Sequence, residues 1–293
     1  MTTGPRVWRS MMFVPVIVEK FVESAHERGA DAYILDLEDS IPQAEKARAR
    51  TLIRTAAEKV GRGGADIVVR INRPWRLAVR DLEACVCDRV QAIALPKTAN
   101  AGHVRDVADV LDELEQEAGL QNGHTGIVAM VETADAFFEM REIARAHPRV
   151  QAMTLGAEDF ALSAGMLPEA ENLFYPKQQS VLAARAAGIL PLGFVGSIAE
   201  YRDQDKFRAT IRQARRLGFR GAFCIHPLQV GIMNEEFAPS AEEVDYARRL
   251  IAAYDKAVAS GLGAVEFEGK MIDEPIVVRA RETLAQAETI ASR

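Results

Sequence analysis

The residues in this chain that can carry charge or donate hydrogen bonds fall repeatedly at the ends of apolar runs. Asp36, Glu38 and Asp39 close or follow the run 32–37, Arg70 and Asn72 the run 66–71, and Lys97 the run 92–96. Glu132 and Thr133 follow 126–131, Glu158 and Asp159 follow 152–156, and His226 follows 221–225. Charge gathered at one place in a fold is costly unless it is paired or holds a metal. Several carboxylates with only five histidines in the chain suit a hard cation better than zinc. Magnesium takes one or two carboxylates, keeps several waters and leaves positions for substrate oxygens, and manganese is the possible substitute. Glu132 and Asp159, on neighbouring units, are the best pair of ligands. The competing role for Asp159, followed by Phe160-Ala161-Leu162, is to cap a helix.

Arg70 beside Asn72 suits a substrate carboxylate, which a guanidinium grips with two hydrogen bonds. Its alternative is an internal salt bridge to the acids at 36–39, and the two roles are compatible. Lys97 follows Pro96 and could be a Schiff-base nucleophile, as in aldolases that need no metal. His226 before Pro227 reads as a structural hydrogen-bonding residue rather than a base. Cys85, Cys87 and Cys224 provide neither a disulfide framework nor zinc-site spacing and read as small buried thiols.

These positions need a scaffold that brings many strand ends together. The apolar, β-branched runs 10–15, 32–37, 66–71, 92–96, 126–131, 152–156, 188–194 and 221–225 are separated by stretches of helical periodicity. Eight β-α units with near-continuous apolar strands predict an α/β fold, a (β/α)8 TIM barrel, whose catalytic groups lie at the C-terminal ends of its strands. A doubly wound open sheet is the alternative, but no glycine-rich dinucleotide fingerprint follows a strand. Helices are expected over 44–59, 104–118 and 241–260, the last opened by Ser240 and Glu243 as a capping box. An irregular linker over 269–275 and a final helix over 276–291 complete the chain. We take 1–240 as the barrel and 241–293 as a helical extension and lid of the same domain. The net charge of -6 argues against a nucleic-acid surface. No run approaches the ~20 apolar residues of a membrane span, and no signal-peptide pattern opens the chain, so the cytoplasm is the expected location.

The motifs resemble the citrate lyase beta-subunit-like group of the HpcH/HpaI aldolase family. They are Arg9-Ser10 with Phe13-Val14-Pro15, Asp36-Leu37-Glu38-Asp39-Ser40 with Lys46, and Val69-Arg70-Ile71-Asn72. Further matches are Ala49-Arg50, Leu95-Pro96-Lys97, Val131-Glu132-Thr133, Gly156-Ala157-Glu158-Asp159, Ile225-His226-Pro227 with Gln229, Phe237-Ala238-Pro239-Ser240 and the segment 269–273. The resemblance implies a barrel of the phosphoenolpyruvate/pyruvate type in a homotrimer or hexamer. It implies magnesium on Glu132 and Asp159, with Arg70 at the substrate. The groups around Asp36, Glu38, Asp39 and Lys97 would then orient water about the ion. Asp273 would sit on a lid reaching a neighbouring subunit's site and act as a proton donor. Such enzymes cleave 3-hydroxyacyl thioesters (malyl, citramalyl or citryl) into an acetyl-type thioester and a 2-oxo acid. Alternatives are an aldolase acting on a free 2-oxo acid, and a lyase subunit that needs an acyl-carrier protein. Val16 and Ser24 replace a glycine and a lysine of the family pattern at the carrier's phosphate end. Leu192-Gly193 stand where many relatives carry an aspartate.

Overall fold

A computed structural model describes residues 6–198 and 202–292. Eight strands alternate with helices: β1 Ser10–Pro15, β2 Ala32–Asp36, β3 Asp66–Arg70, β4 Ala92–Leu95, β5 Gly126–Val131, β6 Val150–Leu155, β7 Leu190–Leu192 and β8 Ala222–Cys224. All pairings among them are parallel, in the order β7-β6-β5-β4-β3-β2-β1-β8. A parallel bridge from Leu192 to Gly221 joins the two edges, and the amide of Gly193 donates to the Gly221 carbonyl at 2.8 Å. The sheet is therefore the closed (β/α)8 barrel expected from the eight runs.

Period-two alternation along each strand decides what faces the barrel axis. Ala32 and Ile34, Val68, Ala92 and Ala94, Val128 and Met130, and Ala152 pack with Met11, Leu192 and Phe223 in one interior cluster. Their strand neighbours Tyr33, Leu35, Val69, Ile93, Ala129 and Met153 belong instead to the larger core under the helices. Continuing the interior parity by one step gives Asp36, Arg70 and Glu132. The alternation that fills the barrel with apolar side chains thus delivers three charges to its C-terminal rim.

The barrel lies within the compact unit Trp8–Phe237, and residues from Ala238 onward belong to a second unit. In the second unit the helices Ala241–Ala259 and Glu274–Ala291 pack around Leu250, Tyr254, Ile272 and Val277. Ser240 and Glu243 form the expected capping box. The segment 269–275 is not an irregular linker. Val265–Phe267 (β9) and Lys270–Ile272 (β10) form an antiparallel hairpin through Glu268 and Gly269, both at positive φ, 48° and 75°. A two-residue turn needs that left-handed backbone, and three-residue arms are too short to show alternation in the sequence. The last helix starts at Glu274 rather than 276, because Pro275 in its first turn lacks only an amide that the helix does not use. Ile272 is buried in this unit's own core, leaving Met271 exposed. Among the described residues no helix is long and apolar enough to cross a membrane.

Candidate active site

A cavity of about 880 Å³ opens at the C-terminal rim of the barrel. Its walls include Phe13, Asp36, Arg70, Gly156, Asp159 and Lys177. Asp36 and Arg70 are opposite one another in the β2–β3 register, and the pairing continues through the side chains. Arg70 Nε and Nη2 donate to the two Asp36 oxygens at 2.7 Å each. Nη1 donates to Asp39 at 3.2 Å and lies 3.1 Å from Glu38 Oε2. Phe13 stacks against the guanidinium, 4.7 Å from ring centroid to Cζ. Burial would raise the Asp36 carboxyl, but the Arg70 fork outweighs it and holds the group below the ordinary aspartate range. The internal salt bridge weighed for Arg70 is therefore present.

Glu132 is sealed, with 3% of its surface exposed. Its Oε2 accepts the backbone N–H of Lys97 at 2.6 Å, and Lys97 must adopt a left-handed backbone (φ 45°) to point that amide inward. Such strain in a residue with a side chain costs about 1–3 kcal/mol and persists where the surroundings require it. On the other side the Glu132 carboxylate lies against bare backbone. A Cβ on Gly156 would come within 2.8 Å of both its Cγ and its Oε1. Burial first, and then Glu38 and Asp159, push the Glu132 carboxyl up to about 7. Glu38 is likewise raised, chiefly by burial, and its buried Oε2 accepts no hydrogen bond.

Lys97 reaches between these acids, with Nζ 3.1 Å from Glu38 Oε1 and 3.7 Å from Asp159 Oδ1. Burial alone would lower its ammonium, but Glu38, Glu132 and Asp159 together raise it. A lysine held as a cation is a poor Schiff-base nucleophile. Among the described residues, five carboxylates (Asp36, Glu38, Asp39, Glu132 and Asp159) thus outnumber the cations near them, Arg70 and Lys97 in ion pairs and Lys46 close behind Asp36 and Glu38. Among the described residues no group of three or more His, Cys, Asp or Glu could hold an ion alone. Two carboxylates, a surplus of negative charge and a buried Glu38 oxygen that accepts no hydrogen bond fit a hard cation that completes its shell with water and substrate.

Of the remaining expected residues, His226 lines the cavity, whereas Asn72 does not and Asp273 belongs to the second unit. Asn72 is buried, and its amide donates to the Leu37 carbonyl at 2.9 Å and to Asp81 at 2.7 Å. It ties strand ends together instead of lining the cavity. The His226 imidazole caps the helix Pro227–Glu236 by accepting the Leu228 amide. Asp273 is the N-cap residue of the last helix, yet its side chain makes no capping bond there. All three cysteines are free and buried.

Sequence reasoning missed Lys177, on the helix Ala170–Ala187. Its signal was available: it shares the buried stripe of Leu173, Ser180, Val181 and Ala184, where a lysine is out of place.

Comparison with known proteins follows the same lines. The family model for HpcH/HpaI aldolase/citrate lyase matches residues 9–227. The (3S)-malyl-CoA thioesterase of Cereibacter sphaeroides (strain ATCC 17029 / ATH 2.4.9) is 36% identical over 290 residues, covering 97% of this chain and 96% of the relative. Citrate lyase subunit beta of Escherichia coli (strain K12) is 35% identical over 288 residues, covering 97% and 94%. A crystal structure of protein CitE from Mycobacterium tuberculosis, in complex with magnesium, acetoacetate and coenzyme A, superposes with a TM-score of 0.75 at 29% identity, covering 98% of this chain and 99% of that one. The chain belongs to the HpcH/HpaI aldolase/citrate lyase family and is a carbon–carbon lyase.

Proposed function

We propose that this protein is a magnesium-dependent lyase that cleaves a 3-hydroxyacyl thioester, such as a malyl, citramalyl or citryl thioester, into an acetyl-type thioester and a 2-oxo acid. The observation that carries the reading is Glu132, buried beside Asp159 in a rim whose negative charge exceeds its paired cations. Glu132 and Asp159 would hold the cation, which supplies Lewis acidity to the hydroxyl and carboxylate oxygens of the acid portion. The neighbouring structure solved with magnesium supports this choice of ion, and manganese meets the same donor requirements.

Cleavage passes the 3-hydroxyl proton to water at the rim and breaks the C2–C3 bond, leaving the electron pair on the α-carbon as the thioester enolate. Arg70, kept charged by its carboxylates and aimed by Phe13, stabilises negative charge in the acid portion. Asp36, Glu38, Asp39 and Lys97 fix the orientation of Arg70 and of water near the ion. Asp273, on a lid from a neighbouring subunit, returns a proton to the α-carbon. Its support is the family resemblance together with a carboxylate that its own helix leaves uncapped. Lys20 and Arg28, both exposed cations on the cavity wall, suit the phosphates of a coenzyme A thioester.

The test is turnover of malyl-CoA, citramalyl-CoA and citryl-CoA by the isolated protein, with magnesium or excess chelator, monitoring free 2-oxo acid and free thiol separately. Magnesium-dependent release of the oxo acid is expected, and Asp273→Asn should retain oxo-acid binding but lose about a hundredfold or more in turnover. Full activity in chelator, or covalent trapping on Lys97 by borohydride, overturns the mechanism. Thiol release without oxo acid would identify a thioesterase. A second reading, a subunit acting on carrier-bound thioesters, draws on the identity to citrate lyase subunit beta. It predicts turnover only with an acyl-carrier protein.

A further inference from the structure

The cavity contains one cation that the lyase chemistry above does not use. Lys177 projects from the helix Ala170–Ala187 into the wall beside Met130, Thr154, Leu155 and Gly193, and only 4% of its surface is exposed. Its Nζ donates to the Leu155 carbonyl at 2.5 Å, and among the described residues that is its one hydrogen-bond partner. No carboxylate forms an ion pair with it there, and burial alone pushes its ammonium down to about 8. An ammonium carries three donors, so two remain open. Lys46, the other buried lysine, shows what a purely structural arrangement looks like. Its Nζ is shared by the carbonyls of Leu37 and Glu38 at 2.9 and 2.7 Å, with acidic neighbours close by.

The backbone keeps the space before Lys177 open. Gly193 stands at φ 137°, and a Cβ there would meet Lys177 Nζ at 3.4 Å and Phe219 Cε1 at 3.2 Å. The Leu155 carbonyl that anchors the amine is one residue from Gly156, whose bare Cα abuts the Glu132 carboxylate. The cavity therefore has an acid-rich end suited to a cation and, one residue of backbone away, a lone buried amine suited to an anion.

We propose that Lys177 is a specificity-determining residue that receives a second carboxylate on the 2-oxo acid, so that the acid portion of the substrate is a dicarboxylate. The inference rests on the lyase reading above, in which the first carboxylate is held at the Glu132–Asp159 end. A carrier phosphate fits less well, because Lys177 is sealed inside whereas Lys20 and Arg28 lie exposed at the mouth.

Calorimetric titration of the protein in magnesium with oxaloacetate and with pyruvate tests this. Lys177→Gln keeps a donor for the Leu155 carbonyl while removing the charge, and Lys177→Met removes both. Both variants should lose about tenfold to a hundredfold in oxaloacetate affinity, the range of a hydrogen bond to a charged group, but less than about threefold for pyruvate. The unaltered protein provides a readout independent of variant folding. It should prefer oxaloacetate to 2-oxobutyrate, which lacks the second carboxylate, by a similar factor. Equal losses for oxaloacetate and pyruvate, no loss for either, or equal affinity for oxaloacetate and 2-oxobutyrate overturns the assignment of Lys177 alone. Failure of the unaltered protein to bind any of these acids overturns the lyase reading together with it.

Discussion

Glu115 and Glu132 are both sealed from solvent, at 0% and 3% exposure, and they are in opposite electrostatic states. Glu115, on the helix Ala101–Glu117, accepts the amides of Gly123 and Thr125 at 2.8 and 2.6 Å. It also accepts both terminal nitrogens of Arg149, at 2.8 and 2.6 Å. Burial would raise its carboxyl, but Arg149 and the amides more than offset this and hold it below the usual glutamate range. Glu132 accepts one backbone amide and is pushed up to about 7. Glu115 belongs to the N-terminal end of the barrel, where Arg149 and Thr125 sit just before β6 and β5, and where Arg9 likewise grips Asp31 with Nε and Nη2 at 2.8 Å each. Charge is self-neutralised at the end that only holds the barrel together. At the end where barrel enzymes place their chemistry, it is left in want of a partner.

The largest effect should come from removing each glutamate in turn. Glu115→Ala strands Arg149 in the interior with Asp112 as its remaining carboxylate. It should cost about 3–5 kcal/mol of stability in denaturant titrations, leaving cation affinity in the folded fraction unchanged. Glu132→Ala should reverse the pattern, with stability of the metal-free protein changing by about 1 kcal/mol or less and turnover falling about a thousandfold. Similar stability losses in both variants would show that Glu132 is another structural acid.

A smaller effect isolates the geometry of Glu132 from its charge. Gly156→Ala places a methyl 2.8 Å from the Glu132 Cγ and Oε1, so the carboxylate must move while keeping its ionisation. Magnesium affinity should fall about tenfold to a hundredfold, the range seen when groups supporting a metal ligand are disturbed. Unchanged affinity by calorimetry would mean that Glu132 need not lie where it does.

Much of this contrast was legible before folding. Eight apolar runs, nearly all closed by a polar residue, place Asp36, Arg70 and Glu132 at one rim from their positions at the ends of the runs. Three features were not legible. The Asn72 amide is bound by Asp81, a partner from the following helix that no local spacing reveals. The hairpin at β9 and β10 depends on a positive φ at Glu268, which sequence preference does not suggest. Lys177 acquires its meaning only when β6 and β7 bring Leu155 and Gly193 to it. Periodicity reports which face a residue occupies, whereas electrostatic state depends on partners that tertiary contact supplies.

The smallest expected effect is a pH dependence that only Glu132 should show. Its carboxyl is raised by burial to about 7, so near pH 6 it is mostly protonated, and a cation must displace that proton to bind. Magnesium affinity should therefore fall about tenfold for each pH unit below 7 and level off above it. Stability of the metal-free protein should follow the same linkage. An acid whose pKa rises on folding favours the folded state below the ordinary glutamate range, and loses that contribution as pH rises from there to about 7. Glu132→Gln, fixed in the uncharged form, should be more stable than the parent at pH 8 by up to about 3 kcal/mol and indistinguishable near pH 4. Calorimetry in buffers of different ionisation enthalpy provides the direct check, with close to one proton released per cation at pH 6 and close to none at pH 8. Glu115, already ionised through Arg149, gives no such signal, so a flat affinity between pH 6 and 8 would place the two glutamates in the same class and remove the basis for a cation site at Glu132.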